Sequence, residues 1–414
     1  MQFSRMTEVH QDLYSRRVRD IPGGVKKAWQ AAGTGRRIRS GDRVGITVGS
    51  RGIDNIAEIT RALVELVKES GGRPFVLPAM GSHGGATAAG QMALLKSLGV
   101  TSESVGAPIR AAMAVVKVGR TKHGTDVYAG GEAVRADGLI VMNRIKQHTD
   151  FTGECESGLV KMLAIGVGKR KGAAAMHSRR CASLREDVPE AARVLLRRLR
   201  VVGGMAILEN GYHQTADIVG LGPGEIVERE KALLARVKRT AARIPFREID
   251  LLIVDWIGKD ISGVGLDTHV IGRRMIWGEP EFRGTRIGVV AALDVTPGSH
   301  GNALGLGLAD LVTERLARKV DWESVRTNVM HTGFLNRAKM PLALPNDREV
   351  VRAAMITLGE PERKKVRVVR IPDTLRLGRL WISEGLVAEA RRAPRIEVVG
   401  KPAEMRFGRD GSLR

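Results

Sequence analysis

Residues 42–81 read DRVGITVGSRGIDNIAEITRALVELVKESGGRPFVLPAMG. The β-branched run Asp42–Gly49, ending in glycine, predicts a buried strand. Ile56, Ile59, Leu63, Leu66 and Val67 follow at helical spacing and predict a helix over Ile56–Ser70. Arg73–Gly81 then repeats the strand pattern. Strand, helix and strand in so short a span indicate an α/β fold with a parallel sheet.

The same alternation continues on both sides of this unit. A second helix is expected over Thr87–Leu98, a strand over Gly138–Asn143 and a helical run over Glu156–Ile165. Met205–Asn210 and Thr215–Gly220 suggest a hairpin, and Pro223 opens a charged helix reaching Thr240. A further series begins with strands Asp250–Gly258 and Thr285–Leu293. It continues with helices Gly301–Ala317 and Asp347–Leu358, then strands Val366–Ile371 and Ile396–Val399. The expected architecture is two Rossmann-like α/β domains, with the active site in the interdomain cleft. Residues 1–242 form the first domain, 243–249 a linker and 250–414 the second, its charged tail free to return to the first. In such sheets ligands gather at the carboxyl ends of strands.

Composition narrows the class. With 43% hydrophobic residues the chain can build real cores, and with 4% aromatics those cores must be aliphatic. Glycine is abundant, at 50 of 414 residues, against a usual share of about 7%. A net charge of +22 suggests an anionic partner. Two cysteines, Cys155 and Cys181, exclude a four-thiolate metal site and suit a reducing, cytoplasmic setting. The polar N-terminus lacks a secretory h-region, and no apolar run of about 18 residues predicts a spanning helix. No zinc finger, RNA-binding sheet motif or basic zipper occurs. The basic residues are spread along both domains, which argues against nucleic acid as the partner.

Chemistry is then expected in the loops that follow strands. In GSRGIDN, Arg51 precedes a helix start, where it suits a carboxylate or phosphate, or simply occupies a surface turn. In AMGSHGGAT, glycines around His83 leave its ring accessible and let a ligand approach the backbone. Residues 144–177, NRIKQHTDFTGECESGLVKMLAIGVGKRKGAAAMH from Asn143 onward, carry Arg144, Lys146, His148, Asp150, Glu154, Lys161, Lys169, Lys171 and His177. Lys161 lies between Val160 and Met162 in an apolar run. A lysine there is costly unless it is paired, used chemically or able to snorkel. On the sequence alone Lys169, Arg170 and Lys171 read as a solvated basic loop, and His177 as a helix end or an open approach to a ligand. No HExxH, dinucleotide-binding, P-loop or nucleophile-elbow spacing is present. A metal held here by isolated histidines needs a cofactor to complete its ligands.

The order Arg51 in GSRG, His83 in GSHGG, His148, Lys161 and His177 resembles the nickel-pincer lactate racemase family, and the resemblance spans essentially the whole chain. It implies an isomerase that inverts C2 of a 2-hydroxy acid by hydride transfer. The implied cofactor is a nickel-pincer nucleotide, a pyridinium bis-thiocarboxylate mononucleotide carrying Ni(II), made by cofactor-synthesis enzymes. By the same resemblance Lys161 forms the covalent link and His177 ligates nickel. His83 and His148 act as acid and base on opposite faces of C2, which suits histidine near neutral pH. Arg51 contacts an anion, and Lys169 and Lys171 hold the cofactor phosphate.

In the second domain, GVGLDTHVIGRRM keeps Asp267 but places Gly272, Arg273 and Arg274 where the lactate-specific pattern has a glutamine and a lysine. Paired arginine forks match carboxylates, so the expected substrate is a larger, dicarboxylic or sugar acid, with Asp267, Arg273 and Arg274 contacting it. The competing readings are another nucleotide-dependent redox enzyme on this scaffold and a basic nucleic-acid-binding protein. Oligomeric state is left open by the sequence.

Overall fold

The computed structural model describes residues 3–282 and 284–414. Its strands are β1 (Arg5–Gln11), β2 (Arg43–Val48), β3 (Arg73–Pro78), β4 (Val115–Arg120), β5 (Asp126–Gly130), β6 (Gly138–Arg144), β7 (Val201–Glu209) and β8 (Thr215–Leu221). They continue with β9 (Glu248–Ile257), β10 (Arg286–Val295), β11 (Leu311–Thr313), β12 (Leu342–Leu344), β13 (Val368–Ile371), β14 (Arg379–Ser383) and β15 (Ile396–Glu404). The chain divides into two units, Tyr14–Ala241 and a second made of Met1–Leu13 with Ala242–Arg414.

In the unit Tyr14–Ala241 the sheet order is β3-β2-β6-β7-β8. β3, β2, β6 and β7 are parallel, and β8 closes the edge antiparallel to β7. A parallel sheet covered on both faces needs unbroken apolar strands. Val44, Ile46 and Val48 on β2 and Ile140, Val141 and Met142 on β6 are all buried. Helix Ile56–Glu69 buries Ile56, Ile59, Leu63, Leu66 and Val67, the face expected from their spacing. After β2 the chain builds β3 on one side and returns to add β6 on the other. The loops after β2 and β6 therefore diverge at a topological switch point, the place where open α/β sheets bind ligands. A separate two-stranded ribbon, β4 with β5, belongs to the same unit.

The helical run expected over Glu156–Ile165 takes a different form. One turn, Leu159–Lys161, opens into a wide π-helix over Met162–Val167, followed by helix Lys169–Met176. The wide turn lets Gly166 press against the end of β3, where a Cβ would come within 2.6 Å of the Ala79 carbonyl oxygen. Such insertions gather at functional sites.

The second unit has the order β12-β11-β10-β9-β13-β14-β1-β15. β12 through β13 run parallel, while β14, β1 and β15 pair antiparallel. Its core is aliphatic, with Leu252, Val254, Val290, Ala292, Val312 and Val369 together. Two sequence expectations change here. β1 belongs to this unit rather than the first, because Val9 is buried in its core. The tail pairs within its own unit, β15 with β1 and Phe407 with Leu413. The helix expected over Gly301–Ala317 is instead a short 3₁₀ turn, β11 and helix Glu314–Arg318. Gly305, at φ 98°, takes a left-handed conformation that no continuous helix contains. Among the described residues no helix is long and apolar enough to cross a membrane.

Candidate functional site

The loop after β6 is built as a closed excursion. Lys146 and Ser157 bridge its base as an antiparallel pair, and the buried carboxylate of Glu156 holds its interior. Glu156 Oε2 accepts the N–H of His148 at 2.7 Å, while Oε1 accepts from Lys238 Nζ at 2.5 Å and from the N–H of Gly153 at 3.2 Å.

This frame presents the His148 ring in a defined state. Nδ1 accepts the N–H of Asp150 at 3.1 Å, and Phe151 lies tilted against the ring with centroids 4.7 Å apart. A neutral ring whose Nδ1 accepts carries its proton on Nε2. Nε2 stands 2.5 Å from Lys161 Nζ. Burial pulls the Lys161 ammonium down to about 8, the cations of Arg51 and Lys146 add to this, and Asp150 opposes it. Burial, then the Lys161 charge, holds His148 well below its ordinary range, and His177 and Lys146 act in the same direction. Two such groups in contact cannot both be cations, so the pair is an imidazole beside an amine that is easily made neutral.

His177 closes helix Lys169–Met176, and its Nδ1 donates to the Ala173 carbonyl at 2.7 Å. That bond leaves the neutral ring with its lone pair on Nε2, the tautomer found in histidines that bind metals. Arg51 is exposed, yet the protein atoms crowded around its guanidinium and the neighbouring Arg144 lower its pKa. Arg144 itself pairs with Glu209. His148, Lys161, His177 and Arg51 thus share one electrostatic neighbourhood at the switch point.

His83 is exposed on the loop after β3, and its Nδ1 contacts Ser50 Oγ, from the loop after β2. Gln91 ties this loop from below, donating to the carbonyls of Gly81 at 3.1 Å and His83 at 3.4 Å.

Several side chains expected to meet a ligand make structural bonds. Lys169 is fully buried, and its Nζ donates to the Pro78 carbonyl and to Gln91 Oε1, the latter at 3.0 Å. It braces the end of β3 and the residue that holds the His83 loop, which commits two of the three ammonium protons to structural bonds. Replacing Lys169 by methionine keeps the stem but strips donors from two buried acceptors. The expected cost is on the order of 2 kcal/mol, read from denaturant unfolding. Unchanged stability with weakened anion binding would return Lys169 to a ligand role. Lys171 is exposed, with its ammonium 4.8 Å from the centre of the Tyr128 ring.

In the second unit Arg273 pairs with Asp310 at 2.7 Å and donates to the carbonyls of Leu308, Ile287 and Gly288. Arg274 is buried, stacked 4.2 Å from the Phe282 ring centre and bonded to the Pro280 carbonyl. Both arginines hold their own loop. Asp267 does the same, its Oδ1 accepting the N–H of His269 at 2.9 Å in a local turn.

Sequence reasoning missed Ser50, Gln91, Glu156 and Glu230. Ser50 stood in plain view beside Arg51. Glu230 had a readable signal, an acidic residue on the apolar face that Ile226, Leu233 and Leu234 define.

Residues 49–226 match the model of a domain of unknown function, DUF362. This span contains Arg51, His83, His148, Lys161 and His177. No curated protein matches the chain. Among solved structures the chain is similar to the lactate racemase apoprotein from Thermoanaerobacterium thermosaccharolyticum, at 12% identity and a TM-score of 0.56, over 88% of this chain and 94% of that one. It also matches a Thermotoga maritima protein at 12% identity and a TM-score of 0.49, over 68% and 72% of the two chains. The fold of this protein is mixed α/β and similar to that of the lactate racemase apoprotein.

Proposed function

We propose that this protein is a 2-hydroxyacid racemase or epimerase that works with a nickel-pincer nucleotide. The observation that carries the reading is the contact between Lys161 Nζ and His148 Nε2, with the Lys161 amine titrating near 8. Neutral amines are nucleophiles, and one held this close to neutrality suits a covalent attachment point. The donor set also fits the cofactor. His177 offers Nε2 to a metal because Nδ1 is committed to Ala173. A square of sulfur, carbon and nitrogen ligands suits Ni(II).

When bound, the cofactor would supply an electron-poor carbon able to take and return the C2 hydride of the substrate. The chain supplies the rest. Arg51 would fix the substrate carboxylate with its fork. His83 and, once Lys161 is linked, His148 would take and return the hydroxyl proton, one for each enantiomer, His148 from the tautomer whose lone pair is on Nε2. Acylation of Lys161 would also remove the charge that helps depress His148, bringing that ring back toward the range a base needs at neutral pH. Because Arg273 and Arg274 hold their own loop, a second substrate carboxylate loses its support, and the proposed class is a 2-hydroxy acid without further restriction.

The test is the intact mass of protein co-expressed with cofactor-synthesis enzymes. A cofactor-sized adduct with bound nickel is expected, the adduct lost in Lys161→Ala and the nickel in His177→Ala. An unmodified mass and no nickel under those conditions would sink the proposal.

A further inference from the structure

Beneath the Lys161 turn lies a carboxyl group that the proposed chemistry leaves unused. Glu230 projects from the helix Ile226–Thr240 and is fully buried. Its Oε2 accepts the N–H of Val160, the residue before Lys161, at 2.9 Å. Its Oε1 has no hydrogen-bond partner among the described residues. The carboxylate fills the space beside residue 158, where a Cβ would lie 2.5 Å from Oε1 and 2.6 Å from Oε2. Only glycine leaves room for it. From the other side, Asn143 at the end of β6 donates to the Gly158 carbonyl at 2.9 Å. Burial pushes the Glu230 carboxyl up to about 7, against the pull of the Val160 and Leu159 amides. A buried carboxyl with one oxygen unsatisfied costs stability where an apolar side chain would not, so packing alone does not account for it.

We propose that Glu230 is a positioning residue, which clamps the turn at Gly158 and Val160 and so sets where Lys161 stands against His148. The inference rests on the reading of Lys161 as the reactive amine. Lys161 follows Val160 directly, so a turn released from Glu230 carries Nζ away from His148 and from the buried position where Asp150, Arg51 and Lys146 act on its charge. Glu230 also acts on Cys155, whose thiol is pushed up to about 12, mainly by burial and then by Glu230.

The experiment uses the full-length protein without cofactor and acetic anhydride as the probe, with acetylation of Lys161 followed by peptide mass spectrometry across pH. Wild type is expected to show an inflection near 8. Glu230→Ala is expected to move it up by a unit or more, toward the ordinary lysine value of 10.5. Glu230→Gln keeps an acceptor for Val160 and should restore the wild-type profile, a rescue that a loss of packing would not give. Gly158→Ala, which drives a methyl group into the Glu230 carboxyl, should shift the inflection like Glu230→Ala, and it decides the matter if Glu230→Ala does not fold. A low inflection in wild type that neither variant moves overturns the positioning role alone. An ordinary lysine inflection in wild type overturns the reading of Lys161, and the positioning role with it.

Discussion

His83→Ala and His148→Ala should each abolish inversion at C2 of the true substrate while leaving nickel bound. A positioned acid or base contributes about 10²–10⁴-fold, and a racemisation needs one on each face, so either loss should lower turnover by that factor in both directions. The two variants should differ in a second respect. His148 contacts Lys161 and shares its buried surroundings, so His148→Ala should also change the titration of Lys161. His83 sits exposed on another loop and contacts Ser50, so His83→Ala should leave the Lys161 titration in place. Loading measured by mass, turnover by chiral separation and the Lys161 profile by acetylation together resolve the two roles. Turnover retained in either variant would mean that the acid and base are misassigned.

Gly90→Ala should disable the His83 loop without touching a reacting group. A Cβ on residue 90 would fall 1.9 Å from the carbonyl oxygen of Gly84, which itself sits at φ 67° in the left-handed region. The opposing atom is backbone and cannot swing aside, so the loop that carries His83 must move. Displacing a catalytic group by about 1 Å costs on the order of 10²-fold in rate. The expected result is a hundredfold fall in kcat with nickel and cofactor still bound and a modest drop in Tm. Gly224→Ala is the matched control, because its added methyl group would meet nothing within 4 Å. If Gly90→Ala turns over like wild type, His83 does not need its present placement and is not an acid or base.

The parallel sheet around β2 was readable because buried parallel strands show unbroken apolar runs and their helices show a 3.6-residue period. Val44, Ile46 and Val48 followed by Ile56, Ile59 and Leu63 carry both signals. β1 was not readable. Arg5–Gln11 mixes charged and apolar residues, and its partners β14 and β15 lie at the far end of the chain. The π-helix at Met162–Val167 was hidden as well, since it goes with the close approach of Gly166 to Ala79, a contact between distant segments. At the site, exposed or oddly placed side chains such as Arg51, His83 and Lys161 attracted notice from their neighbours in sequence. The groups that hold them were invisible for the opposite reason. Gln91, Glu156 and Glu230 act through tertiary hydrogen bonds, and Lys169, read as a phosphate ligand, proves to be one of these supports. The arginines at 273 and 274 read as substrate contacts in the sequence, yet a guanidinium binds the protein's own carbonyls and carboxylates as readily as a substrate's.

The placement of β1 has a consequence for how the protein is made. Tyr14–Ala241 is continuous, so every partner it needs has left the ribosome once residue 241 is out. The other unit is split. Val9 must wait, unpaired, through the synthesis of more than 350 residues before Leu380 and then Val398 arrive beside it. Domains fold as they emerge, at about 5–20 residues per second, so the first unit can be complete while the second still lacks two of the strands that flank β1. The last sheet to close is therefore the one that ties the two ends of the chain together. A ribosome-bound chain stopped after β13 should present a finished Tyr14–Ala241 unit and a loose β1.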